Sequence, residues 1–334
     1  MNEQKSPSVR YLPAQNIIPK DDAFHGSRYI LDIEWWYFDA VFENGISAHI
    51  GFRLYHIREI GILQARINLY KRGTPFKEKI YRFFLSNIII DKEKPIIIIN
   101  GKKVVSLDID KRNKQKPWTY KINLSIEDVS VNLTFTGRSE GWKIETNSTC
   151  WTVPLPTANV TGTISFEGKT ENVKGSGYHD HNWGYSPTTV IRNIGWYWGR
   201  ITAEKLHVTW ANTIISKTKQ DLITVVNKPY LENNDPPFFT SIHPSEIKLK
   251  TKNYKKYNNF FIPHSFELIF KQQNTSSQPT VSGKIIMNTM DIHYDRIFII
   301  NYWRYHVNVS GTINYGSVRE TLKNNSQIIE YLRF

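Results

Sequence analysis

The sequence has a single cysteine, Cys150, and no long hydrophobic run. One thiol excludes an internal disulfide framework. The longest apolar stretches, such as Phe298-Ile299-Ile300, are far shorter than the roughly 20 residues of a membrane-spanning helix. The segment from Met1 to Lys20 is polar and interrupted by prolines, so the chain as given shows no signal peptide. We therefore expect a cytoplasmic protein without a transmembrane segment.

Several common functional motifs are also missing. The sequence contains no Walker A loop, no dinucleotide-binding fingerprint, no Gly-x-Ser-x-Gly elbow and no cysteine pair. Cys150 adjoins Trp151, a setting more typical of a core thiol than of a nucleophile. Asp108-x-Asp110 lacks the glycine and the closing glutamate of an EF-hand loop. The sites that these motifs build are therefore not expected here.

Acidic residues are scarce relative to basic ones: 30 Asp and Glu stand against 43 Lys and Arg, for a net charge of +13. Such a balance permits contact with nucleic acids or anionic membranes. However, the lysines are scattered and often adjoin asparagine, as in 111–116 and 248–256, which is typical of a solvated surface. We expect no nucleic-acid partner. The only membrane contact that the charge permits is peripheral, through the basic surface.

Aromatic residues are abundant at 13%, with ten tryptophans, and the chain of 334 residues with 40% hydrophobic content is long enough to bury a large core. Its length fits two domains or one large β domain. Helical periodicity over a dozen residues is absent, whereas short strand-like runs separated by turn residues recur along the chain. This pattern predicts an all-β protein of sandwich or barrel architecture.

The densest strand-like stretch is a predicted hairpin over 34–55, with Asn44-Gly45 between two arms of aromatic and β-branched residues. Asn-Gly favours a two-residue type I′ turn, in which both central residues have positive φ. That turn fixes the register, so that Trp36 faces Arg53 and Glu34 faces Tyr55.

In this register one face of the hairpin is apolar and the other mixes aromatic and ionisable groups. The predicted core face carries Trp35, Tyr37, Val41, Ile46, Ala48, Ile50, Phe52 and Leu54, with Asp39 as the exception. The opposite face carries Glu34, Trp36, Phe38, Phe42, His49, Arg53 and Tyr55. An aromatic face with sparse charges suits a small-molecule cavity. The alternative is a surface strand with a diagonal Glu34–Arg53 ion pair.

A second dense stretch spans 175–184. If it is extended, His179 and His181 share one face, while Tyr178, Asp180 and Asn182 share the other. Three interpretations remain open. A His-x-His pair can ligate zinc, but the spacing fixes no third ligand, although His293 and His306 exist, so we expect no metal. A carboxyl group held against Trp183 can act as a general acid, as can a neighbouring histidine. The third interpretation is a buried hydrogen-bonded network.

Two later strands are also half polar. Along 195–200 one face carries Trp196, Trp198 and Arg200, which indicates either a pocket or a packed strand with the arginine stacked on an indole. Near the C-terminus Tyr302, Arg304, His306 and Asn308 share a face opposite Trp303, Tyr305 and Val307. That polar face either lines a pocket or faces solvent.

Taken together, these motifs resemble the carotenoid 1,2-hydratase/AttH-like lipocalin family, which includes hydroxyneurosporene synthase, kievitone hydratase and the fungal lipocalin-like Diels–Alderases. The matching pieces, in the family's order, are 34–40, then Trp151 with Pro154, Pro156, Ala158, Val160 and Gly162, then 175–184, then Trp196-x-Trp198-Gly199-Arg200, and more weakly Tyr302-x-Arg304 with Gly311. They cover most of the chain. They are specific for the family and not for one reaction, because its scaffold hosts several chemistries.

The resemblance implies two lipocalin-like β-barrels in tandem, the first over 1–190 with an irregular lead-in and the second over 191–334, with a boundary near 185–194. It also implies an alkene-bearing hydrophobic substrate, such as a polyene, isoprenoid or polyketide. In the hydratases, acidic and imidazole groups protonate the alkene and water traps the cation. In the Diels–Alderases, the cavity folds a flexible polyene into its reactive shape. Neither reaction requires a cofactor.

On this basis we expect a cofactor-independent hydratase or cyclase of natural-product biosynthesis. Asp180 and His181 are the candidate acid and its partner, and Glu34 is a third candidate catalytic residue. The expected substrate-binding residues are Trp36, Phe38, His49, Arg53, Tyr55, Tyr178, Asn182, Trp183, Trp196 and Trp198. Two alternatives stay open. A non-catalytic carrier of a lipophilic molecule would retain its ligand unchanged, and a polyanion-binding protein would lose affinity steeply with added salt.

Overall fold

The computed structural model describes residues 8–109, 118–146, 149–188, 194–216, 218–229, 238–272, 279–297 and 300–333. Strands dominate these residues, and the helical segments include the short 3-10 turns Pro19–Asp22, Leu85–Asn87 and Pro244–Glu246. Among the described residues we find no helix with the length and hydropathy that crossing a bilayer requires.

The strands up to residue 185 are β1 (Ser8–Val9), β2 (Gln15–Asn16), β3 (Asp32–Phe42), β4 (Ile46–Ile57), β5 (Ile60–Lys71), β6 (Thr74–Phe84), β7 (Ile88–Ile90), β8 (Ile96–Ile99), β9 (Lys102–Asp108), β10 (Thr119–Ile126), β11 (Val129–Gly137), β12 (Trp142–Glu145), β13 (Cys150–Phe166) and β14 (Lys169–Tyr185). The later strands are β15 (Gly195–Thr202), β16 (His207–Ser216), β17 (Lys219–Lys228), β18 (Phe238–Ser241), β19 (Ile247–Lys252), β20 (Lys255–Tyr257), β21 (Phe260–Ile262), β22 (Ser265–Gln272), β23 (Val281–Ile297), β24 (Ile300–Tyr315) and β25 (Val318–Arg333).

The chain forms two compact units. The N-terminal unit comprises Ala14–Val190 and Pro229–Phe238, and the C-terminal unit comprises Met1–Pro13, Ile191–Lys228 and Phe239–Phe334. The start of the chain thus belongs to the C-terminal unit, where β1 pairs in parallel with β17. The expected division into barrels over 1–190 and 191–334 stays a prediction.

Each unit is built on one large sheet. The strand order is β6-β5-β4-β3-β14-β13-β11-β10-β9-β8-β7 in the N-terminal unit and β1-β17-β16-β15-β25-β24-β23-β22-β19 in the C-terminal unit. Most neighbours along these paths are consecutive antiparallel strands, so each sheet is largely a meander. The predicted all-β fold with two tandem lipocalin-like units is confirmed.

In the N-terminal unit the sheet curls around its own core. Phe38 of β3 lies 5.8 Å from Tyr120 of β10 and 5.5 Å from Phe135 of β11, measured between ring centroids. Because β14 and β13 separate these strands within the sheet, the contacts cross the interior. The apolar sides of the strands therefore face inward, as burial of apolar surface favours.

The C-terminal sheet encloses a second core in the same way. The ring of Phe266 on β22 contacts Tyr197 of β15 at 5.7 Å and Trp210 of β16 at 6.3 Å. Several strands separate β22 from β15 and β16 along the sheet. These rings therefore meet inside the barrel.

The register predicted for the β3–β4 hairpin is wrong by one residue. The loop contains three residues, Glu43, Asn44 and Gly45, rather than two. The Gly45 amide donates to the Phe42 carbonyl at 3.1 Å, and Gly45 alone of the three has a positive φ, +81°. The Asn44 side chain accepts from the Ile46 amide at 3.1 Å. This is the geometry of a three-residue hairpin loop with glycine in the left-handed position.

The one-residue change places each face of β3 with the opposite face of β4 from the one predicted, because side chains alternate along a strand. Trp36 now faces Phe52, Trp35 faces Arg53, and Glu34 faces Leu54. The interior side carries Glu34, Trp36 and Phe38 together with Ala48, Ile50, Phe52 and Leu54. The other side carries Trp35, Tyr37, Asp39, His49, Arg53 and Tyr55. The predicted core face is right for its β4 residues, from Ile46 to Leu54, which are buried in the core, and wrong for its β3 residues Trp35, Tyr37 and Val41. The predicted grouping of Glu34 with Arg53 is wrong.

Candidate functional site

Two polar networks lie on opposite faces of the same pair of strands, β3 and β14. In their register His181 pairs with Trp36, and Asp180 pairs with Tyr37. The alternation predicted from the sequence is present, because His179 and His181 point to one side and Tyr178, Asp180 and Asn182 to the other. Asp180 and His181, expected to act as partners, are therefore separated by the sheet itself.

The interior network begins at Asp22, in the 3-10 turn Pro19–Asp22. Its carboxylate is fully buried and accepts hydrogen bonds from Tyr120 Oη at 2.6 Å and from His179 Nε2 at 3.0 Å. The other His179 nitrogen, Nδ1, lies 2.9 Å from the Tyr37 carbonyl oxygen. Both partners of His179 are oxygen atoms that accept hydrogen bonds. A single acidic residue thus ties the segment before β3 into the barrel.

Glu34 forms the other half of the interior network. Its Oε1 lies 2.9 Å from His181 Nε2 and 3.3 Å from His25 Nδ1, and it accepts from the His25 amide at 3.1 Å. Nδ1 of His181 in turn lies 3.4 Å from Asp22 Oδ1. His181 is therefore held between two carboxylates, and its ring also stacks on Trp36 with centroids 4.3 Å apart.

The electrostatics of this network favour charged groups in spite of burial. Burial disfavours the imidazolium form of His181, but the hydrogen bonds and charges of Asp22 and Glu34 outweigh it and raise the pKa of His181 to about 9. Burial likewise opposes ionisation of the two carboxyl groups, yet the histidines hold the pKa of Asp22 and that of Glu34 below their ordinary values. At neutral pH the interior therefore contains a buried ion network.

Three residues of the interior network could ligate a metal ion. Potential ligand atoms of His25, Glu34 and His181 all lie within 4.8 Å of one another. A histidine binds a metal through a neutral imidazole, whereas the two carboxylates hold His181 in its protonated form. Hydrogen bonding within the network therefore competes directly with metal binding.

The outer network is centred on the Asp180 carboxyl group. Its Oδ2 accepts from Tyr178 Oη at 2.8 Å and from Trp151 Nε1 at 3.0 Å, and its Oδ1 accepts from Asn182 Nδ2 at 3.0 Å. Trp151 pairs with Asn182 across β13 and β14, which brings its indole to this face. Three donors from two strands thus converge on one carboxyl group.

Aromatic side chains extend the outer face beside Asp180. The Tyr37 ring lies 6.2 Å from that of Tyr178 and 4.6 Å from that of His49, and Tyr37 Oη donates to Asp39 at 3.2 Å. Further along β4, the Arg53 guanidinium lies 5.8 Å from the Trp35 ring. The result is an acid surrounded by aromatic rings on the outer side of the sheet.

The remaining predicted site residues lie elsewhere. Trp36 and Phe38 belong to the interior core, where Phe38 stacks on His179 at 3.8 Å. Tyr55 is half-buried on the side of the hairpin that carries Arg53. Trp183 stacks on His25 at 4.0 Å.

Trp196 and Trp198 lie in the C-terminal unit, on the face of β15 opposite Tyr197. On neighbouring strands of that face, Arg304 donates to Glu330 at 2.6 Å, and Tyr302 Oη donates to the same oxygen at 2.8 Å. The half-polar strand seen in the sequence therefore carries a buried ion pair and not a solvated surface.

No protein-family model matches the chain, and no curated protein matches it significantly. Solved structures do match the chain in fold. An AttH protein from Nitrosomonas europaea superposes with a TM-score of 0.58 at 14% identity, over 96% of this chain and 97% of that chain. The chain has the AttH-like lipocalin fold.

Two further solved structures support that conclusion. CghA, crystallised with Sch210972, superposes with a TM-score of 0.58 at 10% identity, over 98% of this chain and 97% of its own. Kievitone hydratase from Nectria haematococca gives a TM-score of 0.50 at 8% identity, over 99% and 98%. At these identities the likeness shows the fold, as the sequence motifs predicted.

Several members of the interior and outer networks were not identified from the sequence. Asp22 and Tyr120 of the interior network lie outside every motif that was singled out. Trp151 was noted only as part of the resemblance and as the neighbour of Cys150. One signal was available in the sequence, since Trp151 lies near the start of the strand that precedes the 175–184 motif.

Proposed function

We propose that this protein binds a hydrophobic alkene or polyene on the outer face of β3 and β14 and promotes its hydration or intramolecular cyclisation without a cofactor. The observation that carries the proposal is the Asp180 carboxyl group, on which Trp151, Tyr178 and Asn182 converge among aromatic rings. Two proteins of the same fold, a hydratase and a Diels–Alderase, act on small organic molecules.

For hydration, the Asp180 carboxyl group transfers its proton to one alkene carbon, and the electron pair of the double bond forms the new C–H bond. The three donors then stabilise the carboxylate as it forms, because they are already oriented toward its oxygens. Aromatic faces such as those of Tyr37 and Trp151 stabilise the adjacent cation. Water adds to the cation, and its surplus proton returns to Asp180.

For cyclisation, no net proton transfer is needed. The aromatic face holds the diene and the dienophile close together, and the gain comes from proximity and orientation. A hydrogen bond from the Asp180 carboxyl group to a carbonyl on the dienophile would polarise it. Asp180 is therefore essential for hydration and only helpful for cyclisation.

The interior network has a positioning role in this proposal. His181 and His179 lie next to Asp180 in β14, and their ion pairs with Asp22 and Glu34 fix that strand from the opposite side of the sheet. We assign His181 and Glu34 to positioning β14, because both are buried on the interior side. Asp180 alone of the three candidate catalytic residues lies on the proposed substrate face.

Replacement of Asp180 by asparagine tests the proposal, with Asp39→Asn as the matched control on the same face. The two variants should fold equally well. With alkene and polyene substrates assayed by mass spectrometry, Asp180→Asn should abolish formation of a product heavier by one water, whereas Asp39→Asn should retain it. If the wild type forms an isomer of unchanged mass, Asp180→Asn should slow that reaction about tenfold.

Equal turnover by the wild type and by Asp180→Asn would contradict the assignment of Asp180. A ligand that co-purifies and is released with unchanged mass and structure, with no turnover of any substrate, would support the carrier alternative instead.

A further inference from the structure

A two-stranded hairpin of the C-terminal unit, β20–β21, is separate from the large sheet of that unit. In its register Lys256 pairs with Phe261, and the next pair, Tyr257 with Phe260, adjoins the turn. Paired residues lie on the same side of an antiparallel ribbon, and successive pairs alternate between its two sides. The hairpin therefore has two faces, and these two pairs point in opposite directions.

One face of the hairpin is anchored in the C-terminal core. The Phe260 ring meets Trp303 edge-on with centroids 5.3 Å apart, and Tyr257 Oη donates to the Ile292 carbonyl oxygen at 3.3 Å. Ile262, at the end of β21, is fully buried in the same core cluster. These contacts fix the hairpin, so its other face is presented to solvent in a defined orientation.

The other face exposes an aromatic ring beside lysine. Phe261 is 66% exposed and shares this face with Lys256, and Tyr254, in the turn before β20, is 53% exposed. A side chain left this exposed contributes little to the stability of the fold. Single exposed apolar residues are common on protein surfaces, so the charges around Phe261 decide whether it forms part of a site.

The surroundings of Phe261 are strongly basic. Residues 247–266 contain no aspartate or glutamate and five lysines, all exposed: Lys248, Lys250, Lys252, Lys255 and Lys256. On the adjoining strand β22, Glu267 Oε2 lies 2.6 Å from Nζ of Lys252 and 4.0 Å from Nζ of Lys250. The other three lysines form no ion pair within the described ranges of the chain. Positive charge and an exposed ring therefore occur together on one rigid element.

This combination is complementary to an anionic lipid bilayer. The negative surface potential of such a bilayer attracts lysines, and each lysine near the surface strengthens binding about fivefold. An exposed ring gains further by burying its apolar area among the headgroups. Duplex nucleic acid offers phosphates to the lysines but no apolar surface to the ring. Single strands are bound in grooves where successive bases stack on several rings, whereas one ring shares this face with Lys256.

We propose that the β20–β21 hairpin docks the C-terminal unit on an anionic lipid bilayer, with Phe261 among the headgroups and the surrounding lysines against anionic lipids. The lysines of 248–256 were interpreted from the sequence as a solvated surface, and the structure adds the exposed ring beside them. The proposal does not rest on the proposed reaction, because Asp180 belongs to the N-terminal unit.

The test uses the full chain and sedimentation with vesicles of phosphatidylcholine, either pure or mixed with about 30% phosphatidylserine. The wild type should bind the mixed vesicles much more tightly than the pure ones, and raising the salt from about 0.1 M to about 0.5 M should weaken that binding at least tenfold, because salt screens the attraction. The double variant Lys255→Gln with Lys256→Gln should bind the mixed vesicles about 25-fold more weakly, at about fivefold for each lysine.

Replacing the ring separates docking on a bilayer from attraction by charge alone. Phe261→Ala should weaken binding to the mixed vesicles about tenfold, because the apolar area that enters the headgroups is lost. Phe84→Ala is the matched control, since Phe84 is 69% exposed on a strand of the N-terminal unit. Lys102→Gln with Lys103→Gln removes two consecutive exposed lysines from that same unit. Both controls should bind like the wild type, and all four variants should keep its Tm because the altered side chains are exposed.

Three results would overturn the proposal. The first is a wild type that does not prefer the mixed vesicles. The second is equal loss of binding in the hairpin variants and in their N-terminal controls, or no loss in any of them. The third is loss of binding on replacing the lysines without loss in Phe261→Ala. A labelled single-stranded oligonucleotide would then show whether the lysines bind a polyanion instead.

Discussion

The two barrel interiors contain different kinds of polar group. In the N-terminal unit, the carboxylates of Asp22 and Glu34 alternate with the rings of His179 and His181, and each charge has an opposite charge beside it. In the C-terminal unit, the aromatic cluster carries neutral donors that have no hydrogen-bond partner among the described residues.

The difference shows how one fold can be used in two ways. In the N-terminal interior the turn Pro19–Asp22 supplies an acid that lies between two histidines. The ion pairs of the N-terminal interior fix the β14 strand from inside, whereas the C-terminal interior is held together by packing of aromatic rings.

The largest effect is expected from removing the acid that completes the N-terminal interior. Asp22→Ala removes one of the two counter-charges of His181 and the carboxylate partner of His179, and it should destabilise the N-terminal unit by about 3–5 kcal/mol. Its neighbour Asp21, whose ion pair with Lys143 is half-buried, is the matched control, and Asp21→Ala should cost about 1 kcal/mol or less. Urea unfolding of both variants measures this. If both variants lose the same free energy of unfolding, the buried charge network stabilises the protein no more than an ordinary ion pair does.

The pH dependence of stability should have opposite signs in the two units. In the N-terminal unit, the folded-state pKa of His181 is about 9, raised from 6.5. Its contribution to the free energy of unfolding is therefore fully present below pH 6.5 and is lost as the pH rises through about 9. In the C-terminal unit, burial, aided by Arg304 and His293, lowers the pKa of His306 to about 3. Its contribution is present above pH 6.5 and is lost as the pH falls toward 3.

Peptide-resolved hydrogen exchange can measure both units in one experiment, after correction for the intrinsic effect of pH on exchange. Protection in the N-terminal unit should fall on the alkaline side, and protection in the C-terminal unit on the acid side. Asp22→Ala should flatten the alkaline loss. The same sign in both units would contradict either the charged form assigned to His181 or the neutral form assigned to His306.

Removing one tyrosine hydroxyl in each interior should change the free energy of unfolding by a smaller amount, again with opposite signs in the two units. Tyr120→Phe removes the hydroxyl that donates to Asp22 at 2.6 Å and should cost about 1.5–3 kcal/mol, the usual range for a hydrogen bond to a charged group. Tyr305→Phe removes a hydroxyl without a protein partner and should leave stability unchanged or raise it by about 1 kcal/mol. Thermal unfolding of ligand-free protein compares them, and a clear loss for Tyr305→Phe would show that its hydroxyl is already satisfied.

The fold was largely predictable from the sequence, and one hairpin shows where prediction stopped. The same dipeptide, Asn-Gly, occurs at 44–45 and at 100–101. In the second case both residues have positive φ and Ile99 pairs with Lys102, as a type I′ turn requires. In the first case Glu43 joins the loop, and the register shifts by one residue. Local sequence does not distinguish these turns, because packing of the whole strand decides which face is buried.

The candidate site was predictable only where its members are close in sequence. His179, Asp180, His181 and Asn182 stand out as a motif, and their alternation along β14 was predicted. Asp22 could not be found in this way, because it is 157 positions from His179 and lies in a segment without strand periodicity. The structure places Asp180 and His181 on opposite sides of the sheet, because adjacent residues of a strand point in opposite directions.

The most direct test of the central claim is a crystal structure of the protein with a bound unsaturated substrate or unreactive analogue. We predict that the alkene carbons lie within about 3.5 Å of the Asp180 carboxyl group, against the rings of Tyr37, Trp151 and Tyr178. A ligand seated inside the N-terminal barrel against His181 and Glu34, with the Asp180 face bare, would contradict the account.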